Sequence, residues 1–421
     1  MTRKGQPRTN GERAKPAQTV EYLSATIRVA VRKFEPFERA IARQFADFQQ
    51  NTGADARLEI EALDLNPLHE TLFARGALTD GSFDLAFIST DWLAQAHAGG
   101  LIRDLRPHLA RRPSADFPAA WSPSLLGLQS FAGGLWGMPY HDGPQCLIYR
   151  KDLLAQAGIP VPTTWDEFHA AARRLNAPEQ GRFGTVLALY PDGHNSFYDF
   201  CIHVWTRGGE PFGAGARPSF ETPQAVAALD FIRTLARDTA AMAPGAAALD
   251  SVKSGLLFCE GRVALMTNWF GFAALGESWE ASRVRGLVDI APVPAGSGPG
   301  GRSVSLNVFW VLAMAAGSPQ PDLVWEFMRH VATAPMDKLT TLEGAIGVRR
   351  STWADPEVNA RIPYYHKLAA LHARARELPL HPRLADISHV VDDLLGRAVS
   401  TDVASPVLLE DAQHRVEALV G

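Results

Sequence analysis

From residue 27 onward the chain alternates between two hydrophobic periods. Ile27, Val29 and Val31 alternate with Arg28, Ala30 and Arg32, which is the period of a strand. Phe37, Ile41, Phe45 and Phe48 follow at spacings of four, four and three, which is one face of a helix. Thr52-Gly53 gives that helix a glycine stop. Residues 56–63 alternate again, with Leu58 and Ile60 inward and Arg57, Glu59 and Glu61 outward. A second helix is expected over about 67–78. The unbroken apolar run 83–90 reads as a strand covered on both faces. A short helix from Asp91 to about His97 ends at Gly99-Gly100. Repeated strand–helix–strand units predict an α/β fold with a mainly parallel sheet and helices on both sides.

Further along, 134–139 and 146–150 read as strands flanking a turn at 141–145, His-Asp-Gly-Pro-Gln. Residues 151–158 form a helix with a glycine stop. Thr164 and Glu167 have the spacing of a capping box, and Phe168, Ala171, Ala172 and Leu175 continue as a helix face. Strands are expected at 184–190, 263–268, 288–296 and 305–314. Helices are expected at 196–207, 223–238 and 320–333, with a mostly helical pattern from 336. Gly-Ser-Gly-Pro-Gly-Gly at 296–301 formally matches G-x-G-x-x-G. It lies between two strands and contains Pro299, so it reads as a flexible crossing between lobes and not as a dinucleotide loop.

Composition narrows the class. Of 421 residues, 46% are hydrophobic and 20% charged, which excludes a wholly disordered chain. The formal charge of −4 argues against a dedicated nucleic-acid binder. No run of about 18 apolar residues occurs to span a bilayer. Cys146, Cys201 and Cys259 form no CxxC pair and read as small buried hydrophobes. Residues 1–19 form a basic stretch (Arg3, Lys4, Arg8, Arg13, Lys15) with one acid, Glu12, and are expected to be disordered. The apolar segment of an export signal does not follow them. A cytoplasmic location or a mis-assigned start therefore stands beside export.

No phosphate loop, zinc-protease motif, nucleophile elbow or calcium loop occurs, so no cofactor or metal is expected. The chemistry-bearing signal is aromatic. Several of the ten tryptophans stand at element ends with polar neighbours: Asp91-Trp92, Tyr140-His141-Asp142 and Asn268-Trp269. Trp205 is a further candidate. An indole offers an apolar face to the C–H patch of a sugar, while carboxylate, amide and imidazole groups bind its hydroxyl rim. Asn307 and Arg349 are secondary candidates as strand-end and loop polar groups. A rival reading is a glycoside hydrolase pairing Asp142 with Asp91 or Glu210 as acid and base. A third is a sugar-responsive regulator, for which the tail is too short to form a DNA-binding module.

The order of motifs resembles the family 1 extracellular solute-binding proteins of bacterial ABC importers, the maltose-binding-protein-like group. Residues 134–139 (GLWGMP) with the following LIYRKDLLAQAGIPVPTTWDEFHAAARRLN resemble its central signature. LFCEGRVALMTNWFGF (257–272), DIAPVPAGSGPGGR (289–302), SPQPDLVWEFMRHVAT (318–333) and GAIGVRRS (344–351) follow in the family's order. The resemblance implies a two-lobe periplasmic-binding-protein-like fold of type II, joined by crossing strands. Lobe one is expected at 20–140 plus 297–335, and lobe two at 141–296 plus 336–421. It also implies a non-catalytic, periplasmic, monomeric carrier. Such a protein would capture a sugar or polyol by hinge closure and hand it to the ABC permease subunits. Asp91, Trp92, His141, Asp142, Trp205, Asn268, Trp269, Asn307 and Arg349 would then hold the ligand.

Overall fold

The structure, a computed structural model, describes residues 25–421. The expected disordered tail at 1–19 lies outside the described residues. The early strands are β1 (Ala25–Arg32), β2 (Ala56–Leu63), β3 (Leu85–Ser89), β4 (Met138–His141) and β5 (Gln145–Arg150). The later ones are β6 (Leu265–Trp269), β7 (Val288–Ala291), β8 (Ser305–Leu306), β9 (Trp310–Met314) and β10 (Ala375–Arg376).

The first lobe is built on the sheet β2-β1-β3-β9-β4. β1 pairs in parallel with β2 and β3, as the alternating strand–helix pattern predicts. β9 is antiparallel to both β3 and β4, because the chain re-enters this sheet from the second lobe. β3 is buried along its whole length, as its unbroken apolar run requires. β2 is an edge strand, so Leu58 and Ile60 are only half-buried while Arg57, Glu59 and Glu61 are exposed. The helix Glu35–Thr52 buries Phe37, Ile41, Phe45 and Phe48. It stops where Gly53 takes the left-handed conformation at φ 67°.

The second lobe centres on the antiparallel sheet β6-β5-β7, on which the helices Lys151–Ala157, Ser251–Cys259 and Phe270–Ser278 pack; the helices Asn195–Thr206, Pro223–Arg237, Leu384–Ser400 and Ser405–Val420 pack on one another and share a core with Leu147, Tyr149 and Leu265 of the sheet. Thr164 and Glu167 make the full capping box at the start of Trp165–Leu175. The lobes meet at three crossings. The first is the turn 142–144, where Gly143 has φ 140° and a Cβ would stand 3.2 Å from the Cβ of Phe270. The second is 307–309. The third follows Leu371, and its β10 pairs in parallel with β8 beside the second.

Several expectations change. The run 305–314 is two strands, β8 and β9, because the chain passes between lobes at its middle. The Gly-rich segment 296–301 is not a crossing; Gly296 and Arg302 donate their N–H groups to the Thr206 carbonyl within the second lobe. Lobe two therefore extends past 296 to about 306. Residues 336–361 belong with lobe one: the Gln44 amide donates to Thr340 Oγ1 at 2.8 Å, and Arg43 pairs with Glu343. Residues 184–190 are extended but form no ladder, bonding instead to the loop residues Ala241 and Ala246. The strand expected at 288–296 ends at Ala291, since Pro292 and Pro294 carry no N–H to extend it. The strand expected at 134–139 begins only at Met138, and the helix expected to 78 ends as a π turn at Ala74.

Candidate functional site

The geometry of the first sheet assembles one wall of a cavity. β1 and β3 end at the same edge, with Arg32 and Ser89 as last residues, and β9 starts there with Trp310. Ser89 lies opposite Trp310, and Trp310 opposite His141 at the end of β4. A carboxyl edge of parallel strands is where α/β sheets place ligands. A cavity partly open to solvent lies beyond this edge. Phe34, Phe37 and Phe309 add rings to the same wall.

The second lobe supplies the facing wall. Trp269 ends β6, and its indole Nε1 donates to Asn195 Oδ1 at 2.9 Å. Tyr198, one helical turn on from Asn195, meets Trp269 edge-to-face at 5.7 Å. Asp192, His194 and Ser251 complete the polar part. Trp269 and Trp310 thus reach the cavity from opposite lobes.

The titratable groups here are held in defined states. Burial pushes the His141 imidazole down to about 4, only partly offset by Asp142. Its Nδ1 accepts the Ile346 N–H at 2.9 Å, so the neutral ring carries its proton on Nε2. Asp142 is 2% exposed. Its Oδ2 accepts from His372 Nε2 at 2.6 Å, while its Oδ1 is buried with no hydrogen-bond partner among the described residues. Burial pushes the Asp192 carboxyl up, against the pull of His194 and backbone N–H groups. At Asp91, burial alone would raise the carboxyl. The neighbouring His194 and the hydroxyls of Ser89 and Tyr198 outweigh it and hold Asp91 below the ordinary value.

Of the nine residues expected to bind ligand, His141, Asp142 and Trp269 line this cavity. The others do not. Asp91 is turned to the lobe boundary, where Tyr198 donates to it at 2.7 Å. Trp92 packs behind it against His69, Phe73 and Trp310 at ring distances of 5.0–5.9 Å. Trp205 is core of the second lobe, with the Arg376 guanidinium 5.4 Å above its ring. Asn268 faces the helix Ser251–Cys259, donating to the Ser251 carbonyl and Ser254 Oγ. Asn307 ties the second crossing to the Ser124 carbonyl at 2.7 Å. Arg349 is buried in the first lobe, bonded to the Ala332 carbonyl and Asp116 and lying 4.6 Å over Trp121. The dipeptide pattern failed at Asp91-Trp92 and Asn268 because adjacent residues at a strand end face different neighbours.

Arg32, Ser89, Asp192, Asn195, Tyr198 and Trp310 were not expected. Arg32 and Ser89 carried a usable signal, as polar residues closing apolar strands at the carboxyl edge. Trp310 is among the tryptophans expected at element ends but not among the nine expected to hold ligand. Neither carboxylate considered as a hydrolytic partner for Asp142 joins it in the cavity lining: Asp91 is engaged as above, and Glu210 lies on the surface, paired with Arg376 and Arg302.

The bacterial extracellular solute-binding protein family matches residues 33–338, and the chain belongs to it. A probable ABC transporter-binding protein of Deinococcus radiodurans is 26% identical over 273 residues, 63% of this chain and 64% of that protein. The mannitol-binding protein of Pseudomonas aeruginosa is 27% identical over 349 residues, 80% of this chain and 76% of its own length. Among solved structures, an ABC transporter solute-binding protein of Agrobacterium radiobacter K84 in complex with ribitol superposes with a TM-score of 0.83. It is 24% identical and covers 94% of this chain and 98% of that one. At that identity the likeness shows the fold: two α/β lobes with a cleft between them.

Proposed function

We propose that the protein is the substrate-binding component of an ABC importer. It holds a small polyol or sugar between its lobes and delivers it, chemically unchanged, to the transmembrane permease subunits. It works as a monomer outside the cytoplasmic membrane, the setting of its family. The observation that carries the reading is the cavity itself. Trp269 and Trp310 bring flat apolar faces from opposite lobes, and Asp142 brings a buried oxygen, Oδ1, that has no donor among the described residues. A polyol supplies what both lack, C–H surface for the rings and hydroxyl donors for the carboxylate. The mannitol-binding relative supports the same ligand class.

A thermal-shift screen of D-mannitol, ribitol and maltose tests the reading. Ligand at a hundred times its Kd adds about 2.7 kcal/mol of stability. The Trp269→Ala variant, followed by calorimetry, should bind at least about tenfold more weakly, the order expected for losing one well-packed aromatic contact. Unchanged affinity removes Trp269 from the site. No shift across the polyols and sugars, or turnover of a glycoside, overturns the carrier reading.

A further inference from the structure

Two features of the cavity would ordinarily attract an anion, and carboxylates of the protein already engage both. Arg32 brings a guanidinium to the wall. Asp64 accepts from its Nη1 at 3.1 Å, and Asp250 stands 4.0 Å from its Nη2. The helix Asn195–Thr206 begins at the opposite wall, where free N–H groups and the helix dipole favour negative charge. Asp192 fills that position, its Oδ1 accepting the N–H groups of His194 at 3.1 Å and Asn195 at 3.4 Å. His141 is neutral and adds no cation.

Two buried side-chain atoms of lining residues have no hydrogen-bond partner among the described residues: Asp142 Oδ1 and His194 Nε2, the second standing 3.4 Å from Asp91 Oδ2. Asp142 is 2% exposed and lines the cavity, and among the described residues its Oδ1 has no partner while His372 holds its Oδ2. A carboxylate oxygen accepts, so the group that would complete it is a donor. A buried acceptor left without one is costly.

We propose that Asp142 and Asp192 set the charge this site accepts: it takes ligands presenting donors, either polyol hydroxyls or an ammonium group, and excludes the matching sugar acids. The inference rests on the polyol reading above and sharpens it to a charge class. Burial already pushes the Asp192 carboxyl up. A ligand ammonium relieves that condition, and a ligand carboxylate aggravates it.

Calorimetry with three hexitol derivatives differing only at C1 tests it: D-mannitol, 1-amino-1-deoxy-D-mannitol and D-mannonate, at pH 7.5. D-mannonate is expected to bind at least tenfold more weakly than D-mannitol, and the amine at least as tightly. D-mannonate within tenfold of D-mannitol, or an amine weaker than D-mannitol, overturns the charge assignment and leaves the polyol reading standing. Binding of none of the three, with no thermal shift from ribitol or maltose, overturns both. Asp142→Asn and Asp192→Asn, each checked for folding by its thermal transition, assign the effect. At least one folded variant should narrow the mannitol-to-mannonate ratio threefold or more. Trp269→Ala should weaken both ligands alike. A ratio narrowed by less than threefold in every folded Asp→Asn variant overturns the role of these residues.

Discussion

A buried carboxylate stands at each end of the cleft, and the two are partnered in different ways. At the crossings, Asp142 is bonded to His372, which leads directly into the third crossing. His372 stacks on Trp353 at 5.0 Å and 14°, and its Nδ1 accepts from Ser124 Oγ at 3.1 Å. Asn307 of the second crossing donates to the Ser124 carbonyl and to Glu377 Oε1 at 3.4 Å. The network thus ties together segments that the chain itself holds close. At the rim, Asp91 of the first lobe meets Tyr198 and His194 of the second, with His194 Nε2 3.4 Å away. Among the described residues that end is also held by Trp92 against His194 at 5.0 Å, by 90–92 against the helix Leu384–Ser400, and by Arg32 approaching Asp250 at 4.0 Å. Hinge closure in such a fold moves the rim and spares the hinge. The same chemistry, a buried carboxylate with hydrogen-bond donors, is therefore permanent at one end and reversible at the other.

The largest expected effect lies at the hinge. His372→Ala removes the one donor that Asp142 Oδ2 has among the described residues and leaves both oxygens of a buried carboxyl group without a partner there. Breaking a buried pair on one side costs about 3 kcal/mol or more. Urea unfolding should show that loss with little change in slope, and a loss below about 1 kcal/mol would remove Asp142–His372 as a structural tie. Next comes His141, whose imidazole burial pushes from 6.5 down to about 4. Between those values the unfolded chain binds a proton that the folded protein refuses. Stability is then full above pH 6.5 and falls as pH drops toward 4, by about 3 kcal/mol at most. His141→Gln should flatten that slope in thermal transitions between pH 4 and 7. Equal slopes in the two proteins would show that His141 is not kept neutral.

Much of the fold was legible because it rests on local periodicity. The face Phe37–Ile41–Phe45–Phe48, the run of β3 and the Thr164–Glu167 box each depend on neighbours in sequence. The lobe boundary was not legible. Residues 336–361 join lobe one through Gln44 and Arg43, about 300 positions away, and no local pattern encodes that pairing. The site divided the same way. His141, Asp142 and Trp269 stand at element ends whose direction the local pattern fixes. Asp192, Asn195 and Tyr198 reach the cavity only because one helix start is aimed at the other lobe. Arg349 and Trp205 misled because buried Arg and Trp serve packing as readily as binding.

The smallest effect is the most discriminating. Tyr198→Phe deletes the hydroxyl that donates to Asp91 and keeps the ring that packs against Trp269. A hydrogen bond to a charged group is worth about 2 kcal/mol. Asp91 keeps Ser89 in the open form and regains water there, so the loss falls on the closed form alone. About 2 kcal/mol corresponds to roughly a thirtyfold shift toward the open form. The radius of gyration of the unliganded protein in X-ray scattering should therefore rise in Tyr198→Phe. The apparent Kd for ligand should rise in proportion, because it scales inversely with the closed fraction. His372→Ala, which acts within the hinge, should leave the radius unchanged at temperatures where it stays folded. Expansion in both variants, or in neither, would mean that the two carboxylates play one role and that the rim is not where closure is decided.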